Sequence, residues 1–327
     1  MPLVSVIIPF FNGSAFIQRA VDSVRRQTSS DLELLLVDDG SRQEEYDSLR
    51  SLISHAGPAA RILTHPDRRN LGIGSTRALG IRAATGTYVA FLDQDDVWVP
   101  QKLELQLEAF ERCPNATFVY GRIGFIDAHG AATSDAGHVG AGKGRAGGSH
   151  WILRQLLVEN IVPSITVLAR TDHLMPFSRL SGGPAFQYED WLLWTLLAAK
   201  GRAVFLDAVL AYRRLHGDNY SFARMKNRND ILADRHYVTT VFPELAKQFS
   251  SRPRWFRAAL RRRLVLFFIR ARSWGASREE LQQHADMLLQ SFPAEYGWIR
   301  FGALLGRAMS PAPLSWLRWL RRTLVGT

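Results

Sequence analysis

A chain of 327 residues with 46% apolar and 22% charged side chains has the composition of a packed globular protein, long enough for one sizeable core and a second domain. The lone cysteine, Cys113, rules out an intrachain disulfide and fits a reducing compartment. No run reaches the roughly 18 to 20 apolar residues that span a bilayer, and the N-terminus MPLVSVIIPFFN has neither a basic n-region nor a cleavage site, so neither secretion nor a membrane span is expected. The net charge of +11 is concentrated: residues 251–327 hold 14 arginines against four acids, which leaves the first 250 residues close to neutral.

The first hundred residues alternate short β-branched runs with helical periodicity, the pattern of βαβ units and a mainly parallel sheet. Strands are predicted near Leu3–Pro9, Leu32–Val37, Ala60–Leu63 and Tyr88–Leu92. Helices are predicted over Ser14–Gln27, Glu44–Ser54 and Gly74–Ala84, where apolar residues recur three and four positions apart. A helix over Lys102–Arg112 and a strand over Thr117–Ile126 follow. Gly137–Gly148, with six glycines in twelve residues, reads as a flexible surface or acceptor-side loop, because it lacks P-loop spacing and does not follow directly from a strand. A helix from Glu189 stops at Lys200-Gly201, ahead of a strand over Ala203–Leu206. From about Asp218 the pattern is helical, which divides an α/β domain, residues 1–218, from a basic helical extension, residues 219–327.

The run Tyr88-Val89-Ala90-Phe91-Leu92-Asp93-Gln94-Asp95-Asp96 ends an apolar strand in three carboxylates within four residues, a costly cluster without a cation. In extended backbone Asp93 and Asp95 point to one side, and in open α/β sheets ligands gather at the carboxyl ends of strands. Hard oxygen ligands favour Mg²⁺ or Mn²⁺, with the remaining positions left to diphosphate and water. The bland alternative is a solvated turn with Asp96 capping a helix. Two chemistries use such a strand end: a phosphatase of the haloacid-dehalogenase type, for which no downstream lysine and acidic pair is found, and sugar transfer from a nucleoside diphosphate. A second strand, Leu34-Leu35-Leu36-Val37, also ends in carboxylates, Asp38-Asp39-Gly40-Ser41. There glycine permits a tight turn, and a carboxylate could accept the N–H of a pyrimidine base.

Taken together, Ser5-Val6-Ile7-Ile8-Pro9-Phe10-Phe11-Asn12, Val37-Asp38-Asp39-Gly40-Ser41, Asn70-Leu71-Gly72, Arg77, Gly80, Gly86 and Phe91 to Asp96 resemble the donor half of glycosyltransferase family 2, closely over residues 3–100 and more loosely to 220. The resemblance implies an α/β GT-A fold, a nucleotide-sugar donor, and Mn²⁺ or Mg²⁺ as cofactor. It places Pro9 and Asp39 at the nucleobase, Asn70 and Arg77 at base or diphosphate, Asp93 at the ribose or beside the metal, and Gln94 among the donor contacts, with Asp95 as principal metal ligand. Phe11 stands where the family often has tyrosine. Gln187-Tyr188-Glu189-Asp190-Trp191 is similar to the segment that sets a carboxylate at the acceptor hydroxyl, with Asp190 matching the base, although an acidic pair at a helix start also serves simple dipole capping. Tyr212-Arg213-Arg214-Leu215-His216-Gly217-Asp218-Asn219-Tyr220-Ser221 resembles the closing segment of many bacterial surface-polysaccharide members, with His216 a metal or diphosphate contact. The Gln-x-x-Arg-Trp motif of processive synthases is absent, which points to single or limited sugar addition. A non-catalytic nucleotide-binding scaffold is the other alternative.

Residues 254–322 interleave arginine with large apolar side chains, from Arg254-Trp255-Phe256-Arg257 to Trp316-Leu317-Arg318-Trp319-Leu320-Arg321-Arg322. Such helices lie in membrane interfaces, where arginine pairs with anionic lipid and tryptophan seats at the headgroups. The expected partners are therefore a nucleotide-sugar donor, a glycan or lipid-linked acceptor and an anionic membrane surface. The expected location is cytoplasmic, peripheral at the inner face of the cell membrane. A packing module with a solvated basic face is the alternative; no motif supports nucleic acid.

Overall fold

A computed structural model describes residues 2–53, 59–133, 149–157, 160–179, 189–217, 254–273, 276–291 and 296–308. The chain divides into two compact units, Met1–Gly217 and Asp218–Thr327. In the first, strands β1 (Val4–Phe10), β2 (Leu32–Asp38), β3 (Ala60–Thr64) and β4 (Tyr88–Phe91) alternate with helices α1 (Ser14–Arg25), α2 (Gln43–Ile53) and α3 (Ile73–Ala83). Then come β5 (Val97–Trp98), α4 (Lys102–Arg112), β6 (Ala116–Ile126), α5 (Ser149–Leu156), β7 (Leu168–Arg170), α6 (Thr171–Leu174), α7 (Glu189–Lys200) and β8 (Arg202–Arg214). All eight strands share one sheet in the order β3-β2-β1-β4-β7-β6-β8-β5. The β3-β2-β1-β4 half is parallel, and β7 attaches antiparallel to β4.

Burial explains this half. Every residue of β1 is buried, so its unbroken Val-Ser-Val-Ile-Ile-Pro-Phe run needs helices on both faces, and each large apolar side chain contributes roughly 1.5–3 kcal/mol of transfer free energy. On α1 the apolar residues Ile17, Ala20, Val21 and Val24 fall on one stripe and are buried against the sheet core. Pro9 lies opposite Val37, and Phe10 opposite Asp38, so β1 and β2 end level and deliver their loops to one edge.

Three features depart from the sequence expectation. The strand expected over Ala203–Leu206 runs on to Arg214, pairing parallel with β6 and antiparallel with the two-residue β5. β7 and β5 carried no local signal. Asp96 caps no helix: it precedes β5 and is buried, accepting the Arg214 amide at 2.8 Å. Helix α4 also buries a polar pair. Lys102 Nζ donates to Gln106 Oε1 at 2.7 Å and sits 4.0 Å from the Trp98 ring centroid, while Gln106 Nε2 donates to Val119 O and Thr166 O.

In the second unit the described elements are helices α8 (Arg254–Ser273), α9 (Arg278–Ser291) and α10 (Tyr296–Ala308). Their interior is built on Leu260, Leu264, Phe267, Phe268, Leu281, Ala285, Leu288, Ile299 and Ala303. A Cβ on Gly302 would stand 2.7 Å from the Phe268 ring, so glycine lets α10 lie close on α8. Among the described residues no helix is long and apolar enough to cross a membrane. Gly137–Gly148 and residues 309–327 lie outside the described residues.

Candidate active site

Loops from the carboxyl ends of β1, β2 and β4 meet at one edge of the sheet. At the end of β2, Asp39 is buried and turned toward the start of α3: its Oδ1 accepts the Leu71 amide at 2.8 Å and its Oδ2 the Gly72 amide at 3.0 Å. His65 Nε2 lies 3.5 Å from Asp39 Oδ1 and 3.1 Å from Thr76 Oγ1. Burial raises the Asp39 carboxyl above the ordinary aspartate range and lowers the His65 imidazole below its own. Gly40, at φ +75°, allows this approach, because a Cβ there would stand 2.6 Å from both Arg68 O and Asn70 N. Asn70 is exposed beside this junction and Pro9 is buried at the end of β1.

The acidic run after β4 is a turn, closed by the Asp96 amide to Asp93 O at 3.2 Å, so the extended geometry expected for Asp93 and Asp95 does not hold. The two carboxylates serve different partners. Asp93 Oδ1 accepts Arg77 Nη2 at 2.6 Å, and the other arm of the same guanidinium pairs with Glu189. Asp95 Oδ2 lies 3.0 Å from His216 Nε2, whose ring packs tilted against Phe16 at 4.6 Å between centroids. Gln94 clasps the backbone of Phe11, accepting its N–H at 2.8 Å and donating to its carbonyl at 3.1 Å. Burial, then Asp95 and Asp93, push Asp96 well above the ordinary range, so it serves as a buried link to Arg214.

Among the described residues no group of three or more His, Cys, Asp or Glu side chains is arranged to hold a metal ion. The expected pair, Asp95 and His216, is hydrogen-bonded at 3.0 Å, and a carboxylate oxygen beside an imidazole nitrogen is a donor set of the kind a divalent ion accepts.

Asp190 opens α7 beside Glu189. Its Oδ2 accepts Ser164 Oγ at 2.8 Å and Asn160 Nδ2 at 3.2 Å, and its Oδ1 accepts the Trp191 amide at 2.7 Å. Ser164 belongs to the short 3-10 segment Ser164–Thr166, pinned by Trp98 Nε1 to Ile165 O and by Gln106 to Thr166 O. Sequence reasoning missed Ser164 and Asn160, which belong to no motif. Glu189 is buried against Arg77, and burial pushes its carboxyl up to about 7. The structure thus brings Arg77, Asp93 and Asp190 into one constellation through Glu189, and Asp95 and His216 into a second contact. Ser181–Pro184, Gln187, Tyr188 and Asp218–Ser221 lie outside the described residues.

Comparison with known proteins bears on the family and the fold. Residues 5–155 match the family described as glycosyl transferase family 2. An uncharacterized glycosyltransferase of Nostoc sp. is 30% identical over 233 residues, 66% of each chain. Chondroitin synthase of Escherichia coli is 30% identical over 243 residues, which are 72% of this chain and 32% of that one, so the match spans about a third of that relative's length. UDP-Glc:alpha-D-GlcNAc-diphosphoundecaprenol beta-1,3-glucosyltransferase WfgD of E. coli is 27% identical over 71% of this chain and 86% of its own. In fold, S. aureus TarS 1-349 in complex with UDP-GlcNAc superposes with a TM-score of 0.54 at 17% identity, over 93% of this chain and 90% of that one. The mannosyltransferase PcManGT of Pyrobaculum calidifontis, in complex with GDP-Man and Mn²⁺, does so with 0.54 at 17%, over 93% and 85%. The fold is that of the GT-A glycosyltransferases, an α/β fold on one eight-stranded sheet. This chain belongs to glycosyltransferase family 2.

Proposed function

We propose that the chain is an inverting, metal-dependent glycosyltransferase that moves a sugar from a UDP- or dTDP-linked donor to a hydroxyl of a glycan or lipid-linked acceptor in surface-polysaccharide synthesis, with Asp190 as base. The observation that carries this reading is the tie from Asp93, at the end of β4, through Arg77 to Glu189, the neighbour of Asp190. It fixes a carboxylate for the acceptor to the acidic run that serves the donor. WfgD, whose name specifies a UDP-sugar donor and a diphosphoundecaprenol acceptor, supports the same substrate classes. The family assignment sets aside the phosphatase alternative, and the intact carboxylate set favours an enzyme over a scaffold.

A hydroxyl is a weak nucleophile and needs a base within hydrogen-bond reach in the transition state. Asp190 is held by Ser164 and Asn160 through Oδ2, which fixes the rotamer of the carboxylate. The acceptor oxygen forms its bond to the anomeric carbon as the bond to the diphosphate breaks on the opposite face, and the hydroxyl proton passes to Asp190. Pro9, Asp39 and Asn70 contact the nucleobase side, and Asp93 and Gln94 the ribose side, with Arg77 acting through Asp93. When bound at Asp95 and His216, Mn²⁺ or Mg²⁺ supplies positive charge for the departing diphosphate. The arginine-rich region 254–322 keeps the protein at an anionic membrane surface, at the cytoplasmic face, where a lipid-linked acceptor lies. Asp190→Asn is expected to lower transfer by ~10²–10⁴-fold with UDP affinity unchanged; parallel loss of both removes the base assignment.

A further inference from the structure

Of the seven exposed large apolar side chains among the described residues, three lie on one helix: Trp298 (43% exposed), Phe301 (48%) and Leu304 (61%) of α10. They stand three residues apart, so they form a single stripe, while Ile299, Gly302 and Ala303 turn inward. Trp298 and Phe301 meet edge to face at 6.2 Å, and the Arg261 guanidinium of α8 sits 5.7 Å over the Trp298 ring. The helices that supply this face are basic. α8 carries seven arginines and no acid; Arg263 is fully buried, while Arg257 is exposed one turn from Arg261, and α10 has two arginines and no acid.

We infer that the Trp298-Phe301-Leu304 stripe is the face on which the second unit docks to an anionic lipid bilayer. This rests on the membrane reading above and deepens it from a charge to a surface. Charge complementarity selects the occupant. A second copy of the chain would bring Arg257 and Arg261 against the same two arginines of its partner, which like charges oppose, and a nucleic acid gains nothing from an exposed leucine. An interface satisfies all three chemistries at once: phosphate headgroups for the arginines, the headgroup boundary for tryptophan, and acyl chains for Phe301 and Leu304.

The test is flotation of the full chain with vesicles of phosphatidylglycerol and phosphatidylcholine, or of phosphatidylcholine alone, at low and high salt. The wild type is expected to float with anionic vesicles and to stay partly bound in high salt. Trp298→Ser/Phe301→Ser/Leu304→Ser is expected to partition at least tenfold more weakly, and Arg257→Gln/Arg261→Gln to lose binding selectively at low salt. Circular dichroism and the UDP-dependent melting shift verify that each variant is folded; if the triple variant is not, Leu304→Ser alone carries the test. Undiminished flotation of the apolar variant overturns the face and leaves the charge reading standing. Absence of flotation by the wild type overturns both, as does a dimer by light scattering that the apolar variant dissociates without any vesicle binding. Vesicle binding displaced completely by nucleic acid, with the apolar variant unchanged, assigns the arginines to a polyanion instead.

Discussion

Asp93 and Glu189 share one guanidinium: Arg77 reaches Asp93 at 2.6 Å with one arm and Glu189 with the other, inside a site where Arg77 and Glu189 are both buried. Removing the cation leaves Glu189 to take up a proton and both carboxyls without their donor, at a cost of about 1–3 kcal/mol. Arg77→Met should therefore lower stability by that order and abolish transfer. Arg77→Lys, a point donor in place of a fork, should recover part of the stability and little of the activity. Urea unfolding midpoints at constant slope measure the first, and a transfer assay the second.

Glu189 gives the pH dependence a sign. Its folded carboxyl is pushed up to about 7 from an ordinary 4.5, so the folded state holds the proton more tightly than the unfolded chain. The stability tied to that proton is present at low pH and is lost as pH rises to about 7. Glu189→Gln keeps the neutral shape at every pH. Its stability relative to wild type should improve between pH 5 and 8 by on the order of 1–3 kcal/mol, read from melting temperatures at both values. A difference that stays flat with pH counts against the shift.

Ser164 and Asn160 hold Asp190 through the same oxygen. Each hydrogen bond to a carboxylate contributes roughly 1.5–3 kcal/mol, so Ser164→Ala should lower turnover by on the order of tenfold or more. Donor KM should hardly change, because neither residue lies among the donor loops. Ser164→Thr should restore most of the rate. A change in KM alone would place Ser164 in binding instead.

His216 has a separate test. A thermal-shift titration of UDP with and without Mn²⁺ separates the metal-dependent part of binding from the rest. In His216→Ala the added shift from Mn²⁺ should shrink while the metal-free shift persists. An unaltered response to Mn²⁺ removes His216 from the ligand pair.

Gly40→Ala should be disproportionately harmful for one methyl group. Its Cβ would stand 2.6 Å from Arg68 O and Asn70 N at a positive φ. The backbone must part there, releasing the Asp39 carboxylate from Leu71 and Gly72. A loss of about 1–3 kcal/mol and a weaker UDP response are expected.

How much was legible in the sequence follows from where the information lies. The parallel half was readable because its strands are unbroken apolar runs ending in Asp38-Asp39-Gly40 and Asp93-Gln94-Asp95-Asp96, and helix α1 announces its buried stripe. β8 was half missed: Asp207 interrupts its pattern, and its outer residues are only partly buried, so Leu210 and Ala211 gave no clean alternation. The partner of Asp96 is an amide 118 residues away, and no local rule points to it. Lys102 and Gln106, spaced four apart on a helix, have the spacing of a solvated pair and are buried. Ser164 and Asn160 escaped because a serine and an asparagine in a loop are too common to single out; only the fold sets them against Asp190.

α7 and β8 are consecutive, joined at Gly201, with the Thr117 hydroxyl donating to Leu197 O at one end of the turn and Arg202 O at the other. Asp190 therefore heads, and His216 closes, a single uninterrupted stretch of chain. Replacing that stretch exchanges Asp190 and His216 together, whereas an insertion at Gly201 shifts β8 along β6 and parts the Leu197 and Arg202 carbonyls that meet at Thr117.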